Sequence, residues 1–258
     1  MRSMIRSSAL ALATLVVLTA APGKAALVRG GEASDLLFGH DDDNTDDVEI
    51  QPEDVTANQS LNNADVIDGL GGHDVMIGLL GSDTMLGGSG DDVMIGGTEQ
   101  GQAPNSDVQI GGTGNDIAIW AGGDGSDLFD GGPGHFDALV FGTIDKDDGI
   151  PVISPATGKY RDTGLPTANV TGQGGFCRLE RVGDPIERGF DFLVRFFSRA
   201  SGSLLVTVRT RDVEQLFCTS EAGGAITYAD LTVADPELVE VSLDDVARLN
   251  RTVRAIIR

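Results

Sequence analysis

The sequence predicts a mainly β protein: a parallel β-roll of stacked nine-residue repeats, followed by a small β-rich domain with a C-terminal helix. Three observations predict it. Aspartates recur nine residues apart, at Asp74, Asp83 and Asp92. Each follows a glycine-rich turn and precedes an aliphatic triplet such as Val75-Met76-Ile77. Past residue 146 the glycine pattern stops and apolar residues alternate with polar ones, as strands do. A fixed short period means that each unit buries its apolar face only by stacking on its neighbours.

Four segments follow. Residues 1–26 carry Arg2 and Arg6 ahead of an apolar run at 9–21 that ends in small residues, the pattern of a secretory signal peptide. The run is too short to span a bilayer as a helix, and cleavage is expected after Ala21, Gly23 or Ala25. The expected location is therefore secreted, extracellular or periplasmic. Residues 27–59 are an acidic segment, residues 60–140 the repeats, and residues 141–258 the β-rich C-terminal domain.

Charge is concentrated rather than spread. Residues 30–145 hold 24 Asp and Glu and no Lys or Arg, whereas residues 146–258 hold 16 acids against 14 bases. Nearly all of the net charge of −22 thus lies in the first block. A compact segment this anionic repels itself unless a cation neutralises it. The same balance excludes nucleic acid as a partner, since that requires a basic surface. Cys177 and Cys218, both outside the block, are expected to form one disulfide in an exported chain. His40, His73 and His135 are too scattered for a zinc site.

The repeat continues past two insertions. From Asp65 it runs through Asp74, Asp83 and Asp92 to Asp107, which follows six extra residues, then Asp116 and Asp127, which follows the extra Trp120-Ala121. Asp137 closes the series, displaced by one position because Phe136 is an extra residue. The turn needs residues that visit positive φ, which glycine does freely and asparagine next best, as at Asn63 and Asn105. Strand alternation turns the middle residue of each triplet inward. The expected inner column is Ile67, Met76, Met85, Met94, Gln109, Ala118, Phe129 and Leu139, with Gln109 its weak point.

Two blocks make one turn of the roll, so aspartates stack in two files at sheet spacing, about 4.8 Å. One file holds Asp65, Asp83, Asp107 and Asp127. The other holds Asp74, Asp92 and Asp116, with Asp137 at its end. Carboxylates and turn carbonyls converging between stacked loops suit calcium, which takes six to eight oxygen ligands in flexible geometry. Magnesium demands a stricter octahedron and retains water, so it fits less well. The candidate metal ligands are therefore Asp65, Asp74, Asp83, Asp92, Asp107, Asp116 and Asp127, with Ca2+ as the cofactor. Asp42, Asn44, Asp46 and Glu53 have EF-hand spacing, but Asp47 replaces the glycine such a loop needs, so they read as a solvated acidic linker.

These residues resemble the RTX, or hemolysin-type, calcium-binding nonapeptide, Gly-Gly-x-Gly-x-Asp-x-U-x with U a large aliphatic. Gly111-Gly112-Thr113-Gly114-Asn115-Asp116 matches its first six positions, and the resemblance covers residues 61–140. Gly30-Gly31-Glu32-Ala33-Ser34-Asp35 looks like a decayed copy. The resemblance implies a calcium-filled roll, often a module beside a secreted protease, lipase or toxin. Family members export through an uncleaved C-terminal signal, from which an N-terminal leader departs.

In the C-terminal domain, residues 190–197 and 204–218 read as two strands around an Ala200-Ser201-Gly202 turn. Ser242 reads as the cap of a terminal helix whose Val246, Leu249, Val253 and Ile256 share one face. No zinc-protease His-Glu-x-x-His, Gly-x-Ser-x-Gly elbow or Walker loop is present. The expected function is calcium binding by a non-enzymatic extracellular structural or binding module, with a cell-surface or polysaccharide partner. The alternative is a secreted hydrolase acting on polysaccharide that carries the roll as an accessory. The outward strand positions (Val66, Val75, Val93, Val108, Ile117 and their neighbours) form an apolar face. It either mediates self-assembly or is covered by residues 146–258.

Overall fold

Every strand of the repeat region sends the chain to the opposite sheet from the strand before it, because each glycine-rich turn reverses the chain after three to six extended residues. The computed structural model describes residues 16–18, 27–32, 36–38, 64–79, 81–97, 106–145, 167–170, 173–183, 189–241 and 246–256. Strands β1 (Val16–Leu18), β2 (Leu27–Arg29), β4 (Val66–Asp68), β6 (Thr84–Ser89), β8 (Val108–Thr113) and β10 (Leu128–Asp130) lie in one sheet. Strands β3 (Leu36–Phe38), β5 (Val75–Leu79), β7 (Val93–Gly97), β9 (Ile117–Trp120) and β11 (Ala138–Phe141) lie in the other. Apart from the antiparallel β1–β2 pair, each pairs in parallel with the strand two ahead. The register holds across the insertions, with Val66, Thr84, Val108 and Leu128 in one row and Val75, Val93, Ile117 and Ala138 in another.

The later strands continue both sheets. After the separate antiparallel pair β12 (Thr143–Asp145) and β13 (Thr167–Asn169), three antiparallel strands join the first sheet: β14 (Gly175–Arg181), β15 (Phe192–Ser198) and β16 (Leu204–Arg211). Strands β17 (Gln215–Thr219), β18 (Ile226–Asp230) and β19 (Val239–Val241) join the second. The nine-stranded order is β1-β2-β4-β6-β8-β10-β16-β15-β14, and the eight-stranded order is β19-β18-β17-β11-β9-β7-β5-β3. The seams are parallel: β16 pairs with β10 and β17 with β11, so residues 204–219 add one more coil without the repeat motif. The single strand expected over 204–218 is therefore two, in different sheets. The chain breaks at Asp212, whose φ of 50° is one that aspartate tolerates better than most residues.

The expected inner column forms as read. Ile67, Met76, Met85, Met94, Gln109, Ala118, Phe129 and Leu139 are all buried, drawn alternately from the two sheets. Each large member contributes about 1.5–3 kcal/mol by leaving water. Leu216, Val194 and Phe196 carry the same core past the repeats, where Phe196 packs against Trp120 and Phe141 with ring centroids 4.8 and 5.3 Å away. Cys177 on β14 and Cys218 on β17 are joined by the expected disulfide, S–S 2.06 Å, which ties one sheet to the other.

A helix α1 (Ala247–Ile256) covers the outer face of the eight-stranded sheet. Val246, Leu249 and Val253 pack with Val75, Ile77, Val93, Ile95, Ile117 and Ile119 in one buried cluster. On the nine-stranded sheet the outer Val66, Leu86, Val108 and Ile110 are only half-buried. The expected helix cap at Ser242 to Asp245 lies outside the described residues.

Candidate metal centre

Each repeat turn ends on an aspartate whose side chain folds back over its own glycines, and this places the carboxylates in two ladders. On the edge leading into the nine-stranded sheet, the Asp65 N–H donates to Asp83 Oδ1 (2.7 Å), Asp83 N–H to Asp107 Oδ1 (2.8 Å), and Asp107 N–H to Asp127 Oδ1 (2.9 Å). On the opposite edge, Asp74 N–H donates to Asp92 Oδ1 (2.7 Å), Asp92 N–H to Asp116 Oδ1 (2.9 Å), and Asp116 N–H to Asp137 Oδ1 (2.7 Å). All seven expected ligands are thus brought together in the two files read from their spacing, and all are buried.

Asp137 corrects the sequence reading. It is in step with its ladder, because the extra residue is absorbed by Phe136, whose ring turns into the outer apolar cluster 4.2 Å beneath the Arg248 guanidinium. The EF-hand-like residues Asp42, Asn44, Asp46 and Glu53 lie outside the described residues.

The turns themselves are stacked by backbone bonds. Gly72 N–H donates to Ser89 O (2.9 Å), Ser89 N–H to Leu70 O (3.0 Å), and Gly90 N–H to Thr113 O (2.8 Å). Gly90 has a φ of 126°, and a Cβ there would run into the Gly72 carbonyl of the turn below. A Cβ on Gly87 would likewise overlap both the Asp92 carboxylate and the Gly111 carbonyl. Glycine therefore leaves a space in which carboxylate and carbonyl oxygens converge.

Asp92, Asp116 and Asp137 are each 0% exposed, and the Oδ2 of each is buried and accepts no hydrogen bond. A buried carboxylate oxygen without a donor is costly, more so when ionised. Burial accordingly pushes Asp92 up to about 6, Asp116 to about 8 and Asp137 to about 7, each partly offset by the backbone N–H it accepts. Burial likewise raises Asp127 to about 6. The arginines at the rim serve other acids: Arg29 pairs with Asp68 at 3.0 Å, and Arg211 with Asp130.

A further ligand candidate is Asp124. Asp107, Asp124 and Asp127 bring one carboxylate oxygen each within 4.8 Å of one another, in a buried group that can hold a metal ion. The turn is set by the Trp120 indole, whose Nε1–H donates to Gly125 O (2.9 Å), while Gly125 N–H donates to Asp124 Oδ1 (2.9 Å). The signal was present in the sequence: Gly122-Gly123-Asp124-Gly125-Ser126-Asp127 is a complete motif with Asp124 at its free third position.

Among the described residues no helix is long and apolar enough to cross a membrane. Comparison with known protein families, curated proteins and solved structures finds no match to this chain.

Proposed function

We propose that this chain is an exported calcium-binding protein whose repeats form an RTX-type β-roll, acting outside the cytoplasm as a non-enzymatic structural or binding module. The observation that carries the reading is the ladder of buried aspartates in which Asp92, Asp116 and Asp137 each keep an oxygen that accepts no hydrogen bond. The donor set is hard, all carboxylate and carbonyl oxygen, which suits calcium at about 2.3–2.6 Å and excludes a preference for soft metals. When bound, calcium would supply the positive charge that residues 30–145, without Lys or Arg, do not contain. Asp92, Asp116 and Asp137 on one edge, and Asp107, Asp124 and Asp127 on the other, would hold it.

The leader-like N-terminus and the disulfide support an extracellular setting, where calcium is abundant enough for modules with dissociation constants of about 10⁻⁴–10⁻³ M. Elemental analysis of the full chain, equilibrated in calcium and in magnesium, tests the reading. Several calcium ions per chain, retained against equimolar magnesium, are expected. A chain that holds no calcium at millimolar concentration refutes it.

A further inference from the structure

The ladder through Asp74, Asp92, Asp116 and Asp137 does not end with the repeats. The Asp137 N–H donates to Glu214 Oε2 at 2.7 Å, the bond that every earlier aspartate N–H makes to the carboxylate one turn on. The turn that carries Glu214 joins β16 to β17 and has no glycine and no motif, since it reads Arg211-Asp212-Val213-Glu214. It is shorter than a repeat turn but makes the same backbone hydrogen bonds at its two ends. Gly131 N–H donates to the Arg211 carbonyl at 2.9 Å, and Glu214 and Gln215 N–H groups donate to the Asp137 carbonyl at 3.0 and 2.9 Å. The Asp212 carbonyl stands against Gly131 where the Gly111 carbonyl stands against Gly87, and the Gly87 carbonyl against Gly69.

We infer that Asp137 and Glu214, with the Asp212 carbonyl, form an additional divalent-cation site that closes the stack at its C-terminal end. The inference rests on the reading of the aspartate ladders as cation sites. What points to a ligand, beyond the acids themselves, is Asp137. It is wholly buried, its second oxygen accepts no hydrogen bond, and a second carboxylate is its immediate neighbour. Glu214 is half-buried beside the buried Asp137, and two adjacent carboxylates disfavour each other's ionisation unless a proton or a cation lies between them. Glu214 also lies on the chain that bears the disulfide and the α1 cover, so an ion here would tie residues 204–219 to the repeats.

Glu214→Gln tests this, because glutamine keeps an oxygen for the Asp137 N–H and removes only the charge. Glu180→Gln, on β14 and paired with Arg195 rather than with the ladder, is the control for the ion count. Calcium per chain is measured on the full-length protein, together with melting temperature in chelator and in calcium. Glu214→Gln is expected to bind one ion fewer than wild type. Its chelator melt should match or exceed wild type, since a like-charge contact is gone, while its gain from calcium shrinks. Glu214→Asp should restore the ion if the variant folds. A Glu214→Gln protein with the wild-type ion count and calcium shift overturns the terminal site and leaves the calcium reading standing. A wild-type chain without bound calcium overturns both.

Discussion

At Asp116 burial has moved the carboxyl to about 8, so at neutral pH it holds a proton unless a cation takes the proton's place. Asp137, at about 7, is partly protonated there, whereas Asp92 and Asp127, at about 6, are largely ionised. Each lies above the 3.8 of the unfolded chain, so between pH 4 and 8 the metal-free native state binds more protons than the unfolded one. The contribution of these groups to stability is therefore full below about pH 4 and declines from there until the last of them has ionised near pH 8. The proposed calcium binding would run the other way, because the ion must displace those protons. Melts in chelator at pH 5 and pH 8 should show the lower melting temperature at pH 8, and calcium should bind more tightly at pH 8 than at pH 6. A metal-free protein that grows more stable with rising pH contradicts the assignment. The nine-residue spacing made these aspartates legible in the sequence. Glu214 was not, because its place in the ladder comes from pairing across 77 residues and no local motif marks it. Asp137 stands at the end of its file, as the count places it, and the displacement expected there is taken up by Phe136, which swings out into a neighbouring cluster.

Among the elements, the turns carry more information than the strands. The inner column from Ile67 to Leu139 follows from alternation alone, since a three-residue strand flanked by fixed turns has one way to face inward. Residues 204–218 show the opposite case. They alternate without a glycine, so nothing in them announced that the chain changes sheets at Asp212; the parallel edges of β10 and β11 decide that. Within the repeats, Gly90 combines a φ of 126° with a close approach to the Gly72 carbonyl. Gly90→Ala should cost at least about 2 kcal/mol, from strained backbone and displaced turn stacking together. Urea unfolding of the full chain in calcium measures it. A cost below about 0.5 kcal/mol, the usual range of a surface substitution, contradicts the stacked-turn geometry.

Over the whole molecule, two sheets share one inner core, a disulfide joins them, and α1 covers the outer face of one. The repeats thus have a built end rather than an open one, because β16 and β17 pair with the last repeat strands and then turn antiparallel. The parallel edges of β10 and β11 are thus paired within the chain, and the sheets end on the antiparallel strands β14 and β19. The acids of residues 30–145 repel one another without a cation, and this makes the dependence on a cation the central claim. Thermal unfolding of the full chain, followed by circular dichroism in chelator, in magnesium and in calcium, tests it most directly. A site held at a hundredfold excess over its dissociation constant adds about 2.7 kcal/mol, which is about 5–10 °C for a chain of this size. With several sites, calcium should raise the melting temperature by well over that amount, magnesium by much less, and excess chelator should reverse the gain. Superimposable melts in all three conditions would contradict it.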